Sequence, residues 1–219
     1  MKLNFKKYVL ALTMLATGLT SGIASADEPG TENGEWHHYT GDMKGSRYTP
    51  LDQINADNFE DLEMAWSFST KNLGTRGEYK LEVTPIMVDG VLYATAGTRR
   101  TAIALDAVTG ELMWMHSMRE GLRGGMAPRQ LSGRGLSYWS DGNGDDRVFY
   151  VTTGYRLIAL NAHTGVPINS FGTDGNGILD LKIGAVQGNE VQIDLVTGEI
   201  GLHATPTVTG DLIIVGSAM

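Results

Sequence analysis

Cysteine is absent from the 219 residues, proline occurs only six times, and no basic run stands out beyond the first seven positions. Each absence excludes something. Without thiols there is no disulfide framework, no cysteine-type zinc centre, no thiol nucleophile and no lipid-modified N-terminal cysteine. Seventeen lysines and arginines against 25 aspartates and glutamates give a formal charge of −8. Nucleic acid is therefore not an expected partner, because phosphate binding needs a concentrated basic face. Helical signal is scarce as well: Asn58-Phe59-Glu60-Asp61-Leu62 offers at most one turn after an Asn cap. Glycine, in contrast, is abundant. Its 29 residues are roughly twice the usual share of about 7%, which points to many tight turns and an all-β fold of short strands.

The N-terminus stands apart from that fold. Lys2, Lys6 and Lys7 precede an apolar stretch over residues 8–19, and Ala24-Ser25-Ala26 supplies small residues where a signal peptidase reads. This predicts a secretory signal over residues 1–26, leaving 27–219 as part of a single domain. The alternative is a membrane anchor, for which the stretch falls short of the roughly 20 residues that span a bilayer. Removing residues 1–26 takes away three lysines and no acid, which moves the charge from −8 to −11. An acidic exported protein without cysteine suits a bacterial periplasm.

Internal repetition organises the rest. Thr84-Pro85-Ile86-Met87-Val88-Asp89-Gly90-Val91-Leu92-Tyr93 recurs in outline as Thr205-Pro206-Thr207-Val208-Thr209-Gly210-Asp211-Leu212-Ile213-Ile214. Each reads as a strand, a Gly-containing two-residue turn and a second strand. A second unit, Ala104-Leu105-Asp106-Ala107-Val108-Thr109-Gly110-Glu111 with Trp114, is echoed 55 residues later by Ala159-Leu160-Asn161-Ala162-His163-Thr164-Gly165. A weaker echo at 194–199 is spaced too closely for a full repeat and reads as a hairpin in an insertion. The turn has a mechanical reason. An Asp or Asn side chain accepts hydrogen bonds from backbone N–H groups two and three residues on, and the Gly takes the left-handed conformation that reverses the chain. The Trp beyond it lands on a strand face, where it can pack against the neighbouring unit. Four-stranded units recurring every 40 to 55 residues or so predict a β-propeller. Blades of about 45 residues would number only three or so, fewer than the usual four to eight, so the chain is expected to be the N-terminal part of a longer propeller.

The Ala-x-Asp-x-x-Thr-Gly-Glu-x-x-Trp unit resembles the repeat of pyrroloquinoline-quinone-dependent dehydrogenases, the quinoprotein glucose and alcohol dehydrogenases. Trp36, Tyr39, Gly41-Asp42, Ser46-Arg47-Tyr48-Thr49-Pro50-Leu51, Ile54-Asn55 and Ala65-Trp66-Ser67-Phe68-Ser69-Thr70 follow, in order, that family's opening segment. Arg134-Gly135-Leu136-Ser137-Tyr138-Trp139 is similar to its Arg-Gly signature, and Leu157 to Ala162 with Phe171-Gly172 to its second full blade. The resemblance implies an eight-bladed propeller that holds pyrroloquinoline quinone on a divalent cation, usually calcium. It also implies a sugar or alcohol substrate and a respiratory electron acceptor, a quinone or cytochrome c. Carried over residue by residue, Glu82 takes the place of a cofactor-contacting glutamate, and Arg134 that of an arginine at the cofactor's polar edge, where a planar guanidinium suits a carboxylate. His203 stands where some relatives have a cofactor-contacting threonine; the alternative is a plain hairpin-end histidine. The resemblance places the calcium-binding glutamate and the catalytic aspartate beyond Met219. Where alcohol-oxidising members often carry a vicinal cysteine pair, this chain has Pro128 and Arg129, which leans it toward the glucose or polyol type.

Other signals read as structural. Asp141-Gly142-Asn143-Gly144-Asp145-Asp146 lacks the Gly and Glu that a calcium loop needs at its sixth and twelfth positions. His37 and His38 would point to opposite faces of a strand. No helix pattern follows Gly121 to Gly125, which excludes a dinucleotide loop. Trp66, Trp114 and Trp139 are expected to pack between units. The rival to the enzyme is a non-enzymatic scaffold built from the same repeat; such a scaffold has no need of the Arg-Gly signature.

Overall fold

The computed structural model describes residues 30–181, 196 and 201–216. The expected signal segment and, apart from Val196, the weak echo at 194–199 lie outside the described residues. Ten short strands run in chain order: β1 Ile86–Val88, β2 Val91–Ala96, β3 Thr101–Asp106, β4 Leu112–His116, β5 Ser137–Ser140, β6 Asp146–Val151, β7 Arg156–Asn161, β8 Ile178–Asp180, β9 Thr207–Thr209 and β10 Leu212–Ile214. They form two four-stranded antiparallel meanders, β1-β2-β3-β4 and β5-β6-β7-β8, and the hairpin β9-β10. The two meanders are β-propeller blades, as the repeats predict, and the hairpin β9-β10 repeats the first strands of each.

Both faces of each strand in the first blade's centre are buried, and alternation decides which neighbour each residue meets. Tyr93, Ala102, Ala104 and Trp114 join Val148, Tyr150, Ile158 and Leu160 of the second blade in one core. The intervening Ala94, Ala96, Ile103 and Leu105 pack instead on Trp66, Phe68, Leu73 and Val83. A third cluster joins Phe149, Val151, Leu157 and Ala159 to Leu202 and Val208.

The repeated turns are equivalent atom for atom. Asp106 Oδ1 accepts from Val108 N at 3.0 Å, Thr109 N at 2.7 Å and Thr109 Oγ1 at 2.9 Å. Asn161 Oδ1 accepts from His163 N at 3.1 Å and from both Thr164 N and Thr164 Oγ1 at 3.0 Å. Gly110 and Gly165 close the turns at φ +72° and +69°. Trp66 Nε1 donates to Ala107 O at 3.2 Å, and Trp114 Nε1 to Ala162 O at 2.8 Å. Each indole thus lies on the glycine of the turn that follows its own unit. Trp139 also packs, by a different route: its Nε1 donates to Gly210 O at 3.0 Å, and Arg147 stacks 5.3 Å above its ring.

One local expectation is corrected. Asn58 precedes a 3-10 turn over Phe59–Asp61, but its side chain does not cap it. The amide bridges Gln53 O and Asn55 N instead, at 2.7 and 2.9 Å. Gly121–Gly125 itself forms one helical turn, fastened by Arg123 to Tyr155 O at 3.1 Å and to both oxygens of Asp180. In the Asp141–Asp146 turn, Asp141 Oδ1 accepts from Asn143 N and Asp145 N at 2.7 and 3.0 Å.

Candidate functional site

The antiparallel meanders give each blade two rims. One carries the residues before β1, β5 and β9, the β2–β3 and β6–β7 turns and the long β4–β5 connection; the other carries the remaining turns. The starts of the first strands are tied side by side: Thr84 N donates to Arg134 O at 3.1 Å, and Ser137 Oγ donates to Pro206 O. Gly135 lies at this junction with φ +128°, and a Cβ there would meet Thr84 O at 2.9 Å. Only a residue without a side chain lets the two segments approach so closely.

Glu82, Arg134 and His203 each precede the first strand of a successive unit by three or four residues, and the fold brings all three together on the first rim. Glu82 Oε2 lies 3.3 Å from His203 Nε2, and its Oε1 lies 2.9 Å from Lys80 Nζ. The Lys80 hydrogen bond, with the nearby Lys80, His203 and Arg134 charges, holds the Glu82 carboxyl below its usual range. Desolvation, reinforced by Arg100, Arg134 and Arg129 against the opposing pull of Glu82, holds His203 below its ordinary value. Sequence reading missed Lys80.

Arg134 lines a cavity of about 280 Å³ together with Leu136, Ser137, Thr205 and Pro206. Glu82 and His203 lie beside that cavity rather than in its wall. Thr205 Oγ1 is buried with no hydrogen-bond partner among the described residues. A larger hollow, about 410 Å³ and lined by His37, His38, Tyr138 and Trp139 among others, contains none of the three predicted residues. His37 there pairs with Glu35 at 3.3 Å and meets the Tyr138 ring edge-on.

Beneath the cluster lies a residue that no sequence motif marks. Arg100 is 2% exposed and spans the junction of the three units. Its guanidinium donates to Leu131 O at 3.2 Å, Val151 O at 3.1 Å, Leu202 O at 2.6 Å and Arg129 O at 2.9 Å. Desolvation pulls its pKa down to about 10, against the opposing pull of Glu120. It remains a cation at neutral pH.

The two lowered imidazoles carry a pH prediction. His116, whose Nδ1 lies 2.8 Å from Tyr150 Oη, is lowered by desolvation as His203 is. The unfolded chain therefore takes up protons at the ordinary value of 6.5 before the folded one does. Their contribution to stability is complete above pH 6.5 and is lost as pH falls below it. The Glu82 contribution persists until below its ordinary 4.5. Thermal unfolding between pH 7.5 and 5 should show a falling midpoint, with a shallower fall in a His116→Gln, His203→Gln double variant. An equal slope in the two proteins would contradict this.

A polycarboxylate cofactor fits these donors: the Arg134 guanidinium, the His203 imidazole and the unpaired Thr205 hydroxyl can all meet anionic or carbonyl oxygens. A metal is a different matter. Among the described residues no group of three His, Asp or Glu side chains could hold one.

Comparison with known proteins agrees with the geometry. The family model for the PQQ-type glucose/ethanol/alcohol dehydrogenase β-propeller domain matches residues 36–219. The dehydrogenase subunit of the quinone alcohol dehydrogenase of Gluconobacter oxydans (strain 621H) is 38% identical over 148 residues, covering 66% of this chain and 18% of the relative. The quinoprotein glucose dehydrogenase of the same organism is 30% identical over 220 positions, covering 92% of this chain and 26% of the relative. The crystal structure of quinohemoprotein alcohol dehydrogenase from Comamonas testosteroni superposes with a TM-score of 0.61 at 28% identity, covering 84% of this chain and 23% of that one. The chain thus spans about a quarter or less of these relatives' length. Repeats, docked tryptophans and a family match over nearly the whole described region converge, and the chain belongs to the family of PQQ-type glucose, ethanol and alcohol dehydrogenase β-propellers.

Proposed function

We propose that the protein is a pyrroloquinoline-quinone-dependent dehydrogenase, exported to the periplasm, that oxidises a hydroxyl group of a sugar or alcohol. The observation that carries this reading is the convergence of Glu82, Arg134 and His203 on one rim from equivalent positions in three successive units. Bound there, pyrroloquinoline quinone would supply a hydride acceptor for the carbinol carbon, the hydroxyl proton going to a base. This chain's residues do the holding. Arg134 and the Thr205 hydroxyl would meet the cofactor's anionic edge, with His203, whose Nε2 faces Glu82, beside them. Glu82 is kept ionised by Lys80, so that it accepts rather than donates. Relatives of both the alcohol and glucose kinds support a CH–OH donor. Calcium, with its ligands outside the described residues, and a respiratory quinone or cytochrome c as electron acceptor complete the proposal.

The test is equilibrium binding of pyrroloquinoline quinone to the full-length protein, followed by dye reduction with glucose and with short alcohols; the 219 residues alone are expected to be inactive. Losing one charge-assisted contact costs roughly 1.5–3 kcal/mol, so Arg134→Gln should weaken binding on the order of tenfold or more. Unchanged cofactor affinity in both Arg134→Gln and His203→Gln would remove the residues assigned here.

A further inference from the structure

A second polar recess opens on the same rim. It is a cavity of about 290 Å³ between the β2–β3 turn and the β4–β5 connection, lined by Thr75, Thr98, Arg99, Arg119, Glu120 and Gln130 among others. Arg99 is half-buried and Arg119 exposed. Neither guanidinium makes a hydrogen bond or ion pair among the described residues. The acid in the wall does not neutralise them. The Glu120 side chain is 2% exposed and ion-paired with Arg156. Its oxygens also accept from Thr152 Oγ1 at 2.8 Å, Thr153 Oγ1 at 3.0 Å and Gly154 N at 2.6 Å. Among the described residues, two cations thus share one concavity without a partner, an arrangement that an incoming anion relieves.

The wider charge distribution points the same way. The turns of the opposite rim carry Asp89, Asp106, Glu111, Asp141, Asp145 and Asp211, while Arg99, Arg119, Arg129 and Arg134 lie on this one, beside Glu78, Glu82 and Glu120 that are engaged by other partners. Cations held side by side in a concavity concentrate anionic ligands. The recess also shares a wall with the cofactor cluster: Arg100, next to Arg99, binds the carbonyls of Arg129 and Leu131 on either side of Gln130. A volume near 290 Å³ is at the small end for ligand cavities. With threonine hydroxyls and a glutamine amide beside the arginines, it suits a compact compound bearing both a carboxylate and hydroxyls.

We propose that this recess binds the carboxylate of a polyhydroxy acid, making the substrate of the rim an anion rather than a neutral alcohol. The link to turnover rests on the dehydrogenase reading; the binding does not. Calorimetric titration of the protein without cofactor, at low salt, compares gluconate with sorbitol, which has the same carbon count and no carboxylate. Gluconate should bind at least about tenfold more tightly, and Arg99→Gln and Arg119→Gln should each weaken it by about tenfold. Both variants should keep the parent's unfolding midpoint. Equal affinity for the two compounds, or gluconate binding untouched by either substitution, overturns the site.

Turnover by the quinone-loaded full-length protein then separates the two claims. A higher kcat/KM for gluconate than for sorbitol, narrowed by Arg99→Gln, supports the substrate assignment, and a preference for sorbitol overturns it. If no hydroxyl compound is oxidised while gluconate still binds through Arg99, the dehydrogenase reading fails and the anion site stands.

Discussion

Replacing Arg100 with leucine is expected to remove about 4 kcal/mol or more of stability, a large part of what a domain of this size possesses. The loss has two sources. Four backbone carbonyls, those of Arg129, Leu131, Val151 and Leu202, lose their common donor, and a buried acceptor left unpaired costs roughly 1–3 kcal/mol. The segments they belong to come from three structural units, so the damage is to the junction rather than to one sheet. Two further variants separate causes. Arg100 has φ +52°, a conformation that costs a non-glycine residue about 1 kcal/mol or more; Arg100→Gly relieves that strain yet loses the fork. Arg100→Lys keeps the charge but not the fork. Urea unfolding should rank parent, lysine, then glycine and leucine. A glycine variant as stable as the parent would show that the four hydrogen bonds contribute nothing net.

The second large effect is expected at the turn glycines. A Cβ on Gly165 would lie 2.6 Å from Trp114 Cε3, and one on Gly110 would lie 2.4 Å from Trp66 Cδ2. Each substitution must expel an indole and break its hydrogen bond to the turn. Gly165→Ala should therefore cost about 3–5 kcal/mol, of the order seen when a large aromatic is lost from a core. Backbone strain explains only about 1–2 kcal/mol of that. Gly90→Ala supplies the comparison, because Gly90 has φ +76° with nothing within 4 Å of the added carbon. Thermal unfolding of the two alanine variants isolates the packing contribution as their difference. Equal midpoints would mean that the indole rearranges without loss.

How much of this could be read beforehand depended on the range of the interaction. Asp106 and Asn161 bond within three residues of themselves, so the spacing Asp-x-x-Thr-Gly disclosed the turn and, through its recurrence, the blade. Trp114 was legible as packing, but its partner, Ala162 O, lies 48 residues away and only the fold identifies it. Arg100 was invisible because all its partners are main-chain carbonyls, which leave no mark in side-chain identity. Glu120 was hidden similarly, its partners Thr152, Thr153, Gly154 and Arg156 lying more than 30 residues on. The Glu82, Arg134 and His203 assignment came from family resemblance. A purely local clue existed all the same, in their near-constant offset before the first strand of each unit. Asn58 failed as a cap because Gln53 and Asn55 competed for its amide, a choice that propensity does not resolve.

The tryptophan-on-glycine contact has a consequence for how such a molecule grows. The first blade carries both a plug, the Trp114 indole, and a socket, its Asp106–Gly110 turn; its plug fits the turn of the next blade, and its own turn takes Trp66 from the segment before it. The connection is head-to-tail, so it has a direction and no built-in limit on copy number. A duplicated unit arrives with both halves of the joint and can be spliced between two others without inventing an interface. Ring size is then left to the wedge angle between sheets, and the long connections between units are free to diverge into chemistry.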